Sequence, residues 1–221
     1  MPLDRGKFGL RSELIAPALE EQLKQLLQKV TVPVEFACLV GEDAKSAEMA
    51  AFLNHLCALS EKLSVLFYAP GEDAALDEGL DASMLPATGV GRPGSMSRMV
   101  FHGIPGGKEI TAFASAVLNA GGGARELDKY TLKDIGRIKK PMKLQVCVSL
   151  GCQHCAQLVG HAQRVAWENP NVTAHMIDAN LYPELVKAYA IQRVPLTVID
   201  AKVSVPGGKT MAELTTLLAG Y

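Results

Sequence analysis

The stretch Leu144-Gln-Val-Cys-Val-Ser-Leu-Gly-Cys-Gln-His-Cys155 decides the fold, because a strand-like run leads directly into two cysteines three residues apart. The run Leu144–Leu150 is apolar and rich in β-branched residues, which is typical of a buried strand. Between Ala156 and Trp167 the apolar residues recur at helical spacing. The sequence therefore predicts a strand, a turn and a helix over 152–167 that carries both thiols on its first turn.

A thiol in this position is expected to be reactive. Unpaired backbone N–H groups and the macrodipole favour a negative charge at a helix N-terminus, so we expect a lowered pKa for the leading thiol, Cys152. His154, when protonated, would stabilise that thiolate further. A CxxC pair can also be half of a zinc site, but the usual second pair of ligands is missing. The motif therefore favours redox chemistry over a metal site.

Composition and charge indicate an intracellular protein. The net charge of −1 offers no electrostatic footprint for nucleic acid or an anionic membrane surface. No apolar stretch approaches the ~18 residues of a membrane span, and the N-terminus lacks the apolar core of a secretory signal. Five cysteines without disulfide-framework spacing suit a reducing compartment. We expect a cytoplasmic protein with no nucleic-acid or membrane partner.

The two halves of the chain share landmarks in the same order. A period near 100 residues is too long for a solenoid repeat and indicates two similar domains, which we place at residues 10–122 and 123–221. The matched landmarks are Cys38 with Cys147 and Pro86 with Pro195, 109 residues apart, and Ile104–Lys108 with Val205–Lys209, 101 residues apart.

The first half lacks the dithiol. At the offset of 109 residues, Asp43 stands where Cys152 stands and Ser46 where Cys155 stands. Neither side chain can exchange disulfides, so the first domain is predicted to be redox-inactive.

Apolar periodicity predicts a mixed α/β order in each half. A strand–helix–strand opening requires a parallel pair with a right-handed crossover, and a hairpin and a helix close each half. The predicted helices are 13–30, 44–59, 110–119, 124–139, 152–167, 183–189 and 211–218, and the predicted strands are 34–40, 63–68, 143–150, 172–177, 196–200 and 202–205, with a further hairpin after Pro86.

The position of Cys152-x-x-Cys155 after one strand and of Val194-Pro195 before another resembles the thioredoxin superfamily. That resemblance implies two tandem thioredoxin-like folds, each a mixed central sheet flanked by helices. It also implies a cis bond at Pro195, which an X–Pro link permits cheaply, and substrate backbone binding by Val194 and Pro195. More narrowly, Ser149–Cys155 and the opening around Ala18–Lys24 resemble the N-terminal region of the flavoprotein component of alkyl hydroperoxide reductase.

The resemblance implies a thiol–disulfide oxidoreductase. Cys152 would attack a substrate disulfide and Cys155 would resolve the mixed disulfide, leaving a Cys152–Cys155 disulfide. The G-x-G-x-x-G match at Gly89–Gly94 contains Pro93 and precedes strand-like residues, so it does not predict a dinucleotide site. No flavin- or nicotinamide-binding domain follows Tyr221. We therefore expect no bound cofactor, and electrons passing from a separate flavin-dependent disulfide reductase to a peroxiredoxin.

Two other functions remain open at this point. One is a general glutaredoxin-like or protein disulfide oxidoreductase, in which His154 would matter more. The other is a non-catalytic binding module whose dithiol is vestigial or holds a metal.

Overall fold

The computed structural model describes residues 1–221, which form two compact units. The first unit comprises residues 1–104 and 117–124, and the second comprises residues 105–116 and 125–221. No helix is both long enough and apolar enough to cross a bilayer.

The first unit contains a four-stranded mixed sheet. Its strands lie in the order β2-β1-β3-β4, with β1 and β2 parallel and the later neighbours antiparallel. Its elements are α1 (Pro17–Leu27), β1 (Val34–Leu39), α2 (Ala44–Ala58), β2 (Leu63–Tyr68), α3 (Ala74–Leu80), β3 (Ala87–Gly91) and β4 (Met99–His102), after a short 3-10 helix at Arg5–Lys7. Helix α4 (Glu109–Ala120) contributes residues to both units.

The second unit repeats this order. Its strands lie in the order β6-β5-β7-β8, with β5 and β6 parallel and the later neighbours antiparallel. The predicted pair of tandem thioredoxin-like folds is therefore confirmed. The elements are α5 (Lys129–Ile135), β5 (Met142–Val148), α6 (Cys155–Glu168), β6 (Val172–Asp178), α7 (Pro183–Ala188), β7 (Leu196–Ile199), β8 (Val203–Pro206) and α8 (Met211–Ala219).

The apolar stripe predicted on the helix after the dithiol packs into the core of the second unit. Fully burying a Leu or Val side chain contributes about 1.5–3 kcal/mol, so this face fixes α6 on the sheet and with it the position of Cys155. The stripe residues Leu158, Val159, Ala162, Val165 and Ala166 are all fully buried.

Two helices are shorter than predicted because their capping residues lie further along the chain. Helix α1 begins at Pro17 rather than at residue 13, since proline lacks an N–H and fits the first helical position. Helix α5 begins after Asp128 rather than at residue 124. The Asp128 carboxylate accepts hydrogen bonds from the backbone N–H groups of Tyr130 and Thr131, which defines the helix start.

Helix α3 was missed by the sequence analysis. It has seven residues, includes Gly79, and is capped by the Asp73 carboxylate, which accepts from the N–H groups of Ala75 and Leu76. A helix of two turns is too short for apolar periodicity to reveal.

Candidate active site

The two cysteines of the motif form a disulfide at the end of β5. Their Cα atoms lie 5.5 Å apart. The backbone N–H of Cys152 donates to the carbonyl of Ser149 at 2.9 Å, which closes a turn between strand and helix. Helix α6 begins at Cys155 rather than at Cys152 as predicted, because the turn occupies the residues between them. Cys152 therefore precedes the first helical turn, still on its positive side.

The two sulfur-bearing residues differ in access. Cys152 is partly exposed, whereas Cys155 is fully buried. An added Cβ at the neighbouring Gly151 would meet no atom within 4 Å, so the approach to Cys152 is open. A substrate sulfur can therefore reach Cys152 but not Cys155.

The loop before the cis proline lies against the disulfide. The Val194–Pro195 peptide bond is cis, and the Sγ atom of Cys152 lies 3.9 Å from the carbonyl oxygen of Val194. The Pro195 carbonyl accepts from the N–H of Gly207 at 2.9 Å, which ties the loop to the end of β8. The backbone N–H and C=O of Val194 bond to no other backbone group of the chain. These unpaired groups beside the disulfide can pair with an extended segment of another molecule.

His154 is exposed at the N-cap position of α6, where its side chain makes no capping hydrogen bond. A Cβ added at Gly208 would lie 3.7 Å from its Cβ, so the loop after β8 passes close to it. The ring therefore sits at the rim of the site, on a residue that lies between the two cysteines in sequence.

Two buried carboxyl groups lie in the same unit, and the sequence analysis missed both. Glu109 and Asp178 are 0% and 4% exposed. Asp178 ends β6 and pairs in register with Val148, the last residue of β5. The backbone N–H of Lys108, beside Glu109, donates to the carbonyl of Leu150 at 3.4 Å. Both acids therefore lie at the end of the sheet from which the disulfide loop leaves.

Glu109 is held in an unusual state for a glutamate. Neither of its carboxyl oxygens has a hydrogen-bond partner. Burial, together with the negative charge of Asp178, raises the pKa of Glu109 to about 7. Asp178, by contrast, accepts two hydrogen bonds from Asn180, both at 3.1 Å. Glu109 can therefore exchange a proton near neutral pH.

No sequence signal separates Glu109 from an ordinary acid in a first helical turn. It follows Ile104-Pro-Gly-Gly-Lys108 and opens a helix, where acidic residues are common for reasons of the helix dipole. Its burial results from contacts distant in sequence, as the 2.7 Å approach of an added Gly107 Cβ to the Leu150 carbonyl illustrates.

The other three cysteines are buried in apolar surroundings, as the sequence predicted. Burial raises the pKa of Cys38, Cys57 and Cys147 to about 12, so none of them forms a thiolate near neutral pH. No group of three or more His, Cys, Asp or Glu side chains is arranged to hold a metal ion.

The corresponding position of the first unit is closed by its own hydrogen bonds. The Ser46 hydroxyl donates to the Asp43 carboxylate at 2.7 Å and accepts from the N–H of Gly41 at 2.9 Å. Burial opposes ionisation of Asp43, but hydrogen bonds from Ser46 and Lys45 outweigh it and hold the pKa of this carboxyl below its usual value. The Leu85–Pro86 bond is cis, like its counterpart at Pro195. This unit keeps the framework of the site without a sulfur that could exchange there.

Known proteins similar in sequence share this organisation. A family model for the thioredoxin domain matches residues 142–219. The alkyl hydroperoxide reductase flavoprotein AhpF of Pseudomonas aeruginosa is 29% identical over 196 residues, covering 89% of this chain and 36% of that protein. A Bacillus subtilis protein named NADH dehydrogenase is 26% identical over 196 residues, with the same coverage of both chains. The chain thus spans little more than a third of these curated relatives.

Solved structures narrow the family. The NTD_N/C domain of alkyl hydroperoxide reductase AhpF from Enterococcus faecalis is 30% identical, with a TM-score of 0.86 over 92% of this chain and 99% of that chain. A protein disulfide oxidoreductase from Aeropyrum pernix shares the fold, with a TM-score of 0.78 at 17% identity. The chain belongs to the family of tandem thioredoxin-fold domains represented by the N-terminal domain of alkyl hydroperoxide reductase AhpF.

Proposed function

We propose that the chain is a thiol–disulfide oxidoreductase that passes electron pairs from a flavin-dependent disulfide reductase to a peroxiredoxin. The observation that carries this proposal is the pairing of a partly exposed Cys152 with a fully buried Cys155 beside the unpaired backbone of Val194. One sulfur is available to a protein substrate, and the adjacent backbone offers a place to dock its chain.

The exchange needs two steps. In the reduced chain the Cys152 thiolate attacks one sulfur of the substrate disulfide, and the other sulfur leaves as a thiolate. Cys155 then gives up its proton and attacks the Sγ of Cys152. The Cys152–Cys155 bond forms, and the substrate departs as a dithiol with both electrons and two protons. The flavin-dependent reductase restores the chain by supplying two electrons through its own dithiol.

Glu109 serves in this scheme as the proton acceptor for Cys155. A buried thiol needs a nearby base to become a nucleophile. The support is that Glu109 is fully buried at this end of the sheet, has no hydrogen-bond partner, and has a pKa of about 7. A group with that pKa can both take up and return a proton in a neutral solution.

Val194 and Pro195 bind the substrate backbone in this proposal, and His154 stabilises the Cys152 thiolate when it is protonated. The first domain, residues 10–122, has no exchangeable sulfur in its corresponding position and acts as a redox-inactive companion to residues 123–221. A reducing compartment such as the cytoplasm fits the three buried free thiols.

The test is reconstitution of peroxide turnover with a two-cysteine peroxiredoxin and a flavin-dependent disulfide reductase. We expect the wild-type chain to couple nicotinamide oxidation to peroxide consumption, Cys152→Ser to abolish coupling, and Cys57→Ala to retain it as a matched control. Efficient reduction of glutathione mixed disulfides without peroxiredoxin coupling would instead assign a glutaredoxin-like function. Absence of any disulfide exchange would leave a non-catalytic binding module.

A further inference from the structure

A cleft of about 370 Å³ adjoins the redox site on the side of α7. Ser149 and Ala179 line it where β5 and β6 end, and Val186 and Ile191 provide apolar contacts. The segment Gln192–Val194 forms another wall. Because the Val194 carbonyl lies 3.9 Å from the Sγ of Cys152, a molecule bound in this cleft lies next to the attacking sulfur.

Arg193 gives this cleft a cationic group with no counter-ion inside the protein. The residue is exposed and lines the cleft. The ion pairs of the chain, such as that between Arg164 and Glu168, join other charged groups and leave Arg193 without a carboxylate. A guanidinium offers a planar fork of donors that matches a carboxylate.

The surrounding charges do not cancel Arg193. Asp178 is nearly buried and accepts both hydrogen bonds of Asn180, which also lines the cleft. Helix α7 carries one acid and one base, Glu184 and Lys187, so it adds no net charge. The cleft therefore presents one net positive charge beside a substrate-docking backbone.

Building on the proposed function, we propose that this cleft selects protein disulfides that carry an aspartate or glutamate within two residues of the attacked cysteine. The substrate segment pairs its backbone with Val194, and its carboxylate binds the Arg193 guanidinium. Two residues of extended chain span about 7 Å, which suits a carboxylate one residue along the loop from the backbone pairing site. Arg193 is thus a specificity residue, and the occupant is an acidic segment of a protein substrate.

The test uses synthetic peptides whose single cysteine is joined to thiopyridine, with Glu, Gln or Lys two residues from that cysteine. The reduced protein forms a bond between Cys152 and the peptide sulfur, and thiopyridone leaves with the electron pair. Its absorbance gives the second-order rate constant for each peptide. We expect the Glu peptide to react about three- to fivefold faster than the Gln peptide at low salt, as for one partly exposed ion pair, and this ratio to fall at high salt.

Arg193→Gln should bring the Glu-to-Gln ratio close to one, and Arg193→Glu should make the Lys peptide the fastest. Lys187→Gln, which removes a charge on α7 outside the lining of the cleft, is the matched control and should keep the wild-type ratio. Equal rates for the Glu and Gln peptides in the wild-type protein would overturn the inference while leaving the proposed function intact.

Two further outcomes would also overturn it. If glutathione joined to thiopyridine reacts faster than the Glu peptide and Arg193→Gln slows only glutathione, the cleft binds a free tripeptide rather than a protein segment. If no peptide releases thiopyridone, the proposed function fails, and this inference fails with it.

Discussion

Glu109 and Asp178 are the two buried carboxyl residues of the second unit, and their environments divide their roles. Asp178 accepts two hydrogen bonds from Asn180, which stabilise its charge. Glu109 accepts none, and burial followed by the charge of Asp178 raises the pKa of Glu109 to about 7. A proton thus rests on Glu109 at pH values where an exposed glutamate is ionised.

The first prediction concerns stability against pH. The folded chain keeps the Glu109 proton up to about pH 7, whereas the ordinary value is 4.5. As the pH rises through this window, the unfolded state loses the proton first. The free energy of unfolding should therefore fall with rising pH by up to about 1.4 kcal/mol per pH unit.

Glu109→Gln should remove this slope, because an amide does not titrate. The measurement is urea unfolding of the oxidised protein between pH 4.5 and 8, followed by the fluorescence of Trp167, the sole tryptophan. Glu126→Gln, at an exposed acid, is the control and should retain the wild-type slope. An unchanged slope in Glu109→Gln would show that the buried acid is not the titrating group.

The second prediction concerns the resolving step. If Glu109 takes the proton of Cys155, Glu109→Gln should slow the decay of the mixed disulfide by about tenfold or more, within the usual range for a lost general base. Formation of the mixed disulfide should change little, since Cys152 is partly exposed to solvent. Stopped-flow measurement of both phases separates the steps. Slowing of the first phase alone would contradict this role.

The third prediction concerns thiol reactivity. After reduction, iodoacetamide at neutral pH should label Cys152 alone, because Cys155 is fully buried and burial raises the pKa of the three other thiols to about 12. Mass spectrometry should find one label on the folded chain and labels on all five cysteines after denaturation. If Cys152 stays unlabelled until the solution is strongly alkaline, the proposed nucleophile is wrong.

The fourth prediction concerns trapping. Cys155→Ser leaves Cys152 able to attack but removes the resolving sulfur, so a covalent complex with the peroxiredoxin should accumulate. Non-reducing electrophoresis detects it, and a reductant should release it. Cys152→Ser is the control and should form no complex. Trapping by Cys152→Ser instead would reverse the assigned roles.

The fifth prediction concerns the closed site of the first unit. Asp43→Ala removes the carboxylate that accepts from Lys45, Ser46 and the Ser46 hydroxyl. Loss of this helix cap should cost about 1 kcal/mol of stability, measured by urea unfolding with circular dichroism. The adjacent exposed variant Glu42→Ala should cost much less, and neither should alter the exchange rate of the dithiol. A slower exchange in Asp43→Ala would show that the first domain acts on the chemistry.

Much of the fold was predictable because its signals are local in sequence. The strand before Cys152 and the apolar stripe after Cys155 both depend on the periodic placement of apolar residues, and the structure confirms them. The limits of α1 and α5 were less predictable, since a cap such as Asp128 competes with periodicity for where a helix starts. The two-turn helix α3 lies below the length at which periodicity is visible.

For the site, the sequence by itself determined the dithiol and its neighbouring proline, because a CxxC after a strand and a Val-Pro before a hairpin carry their chemistry in adjacent residues. Only the tertiary structure decided that Cys155 is buried while Cys152 is open, that Glu109 is desolvated near Asp178, and that Arg193 lines a cleft beside the disulfide. Burial and electrostatic environment depend on residues brought together from distant parts of the chain, and no local pattern encodes them.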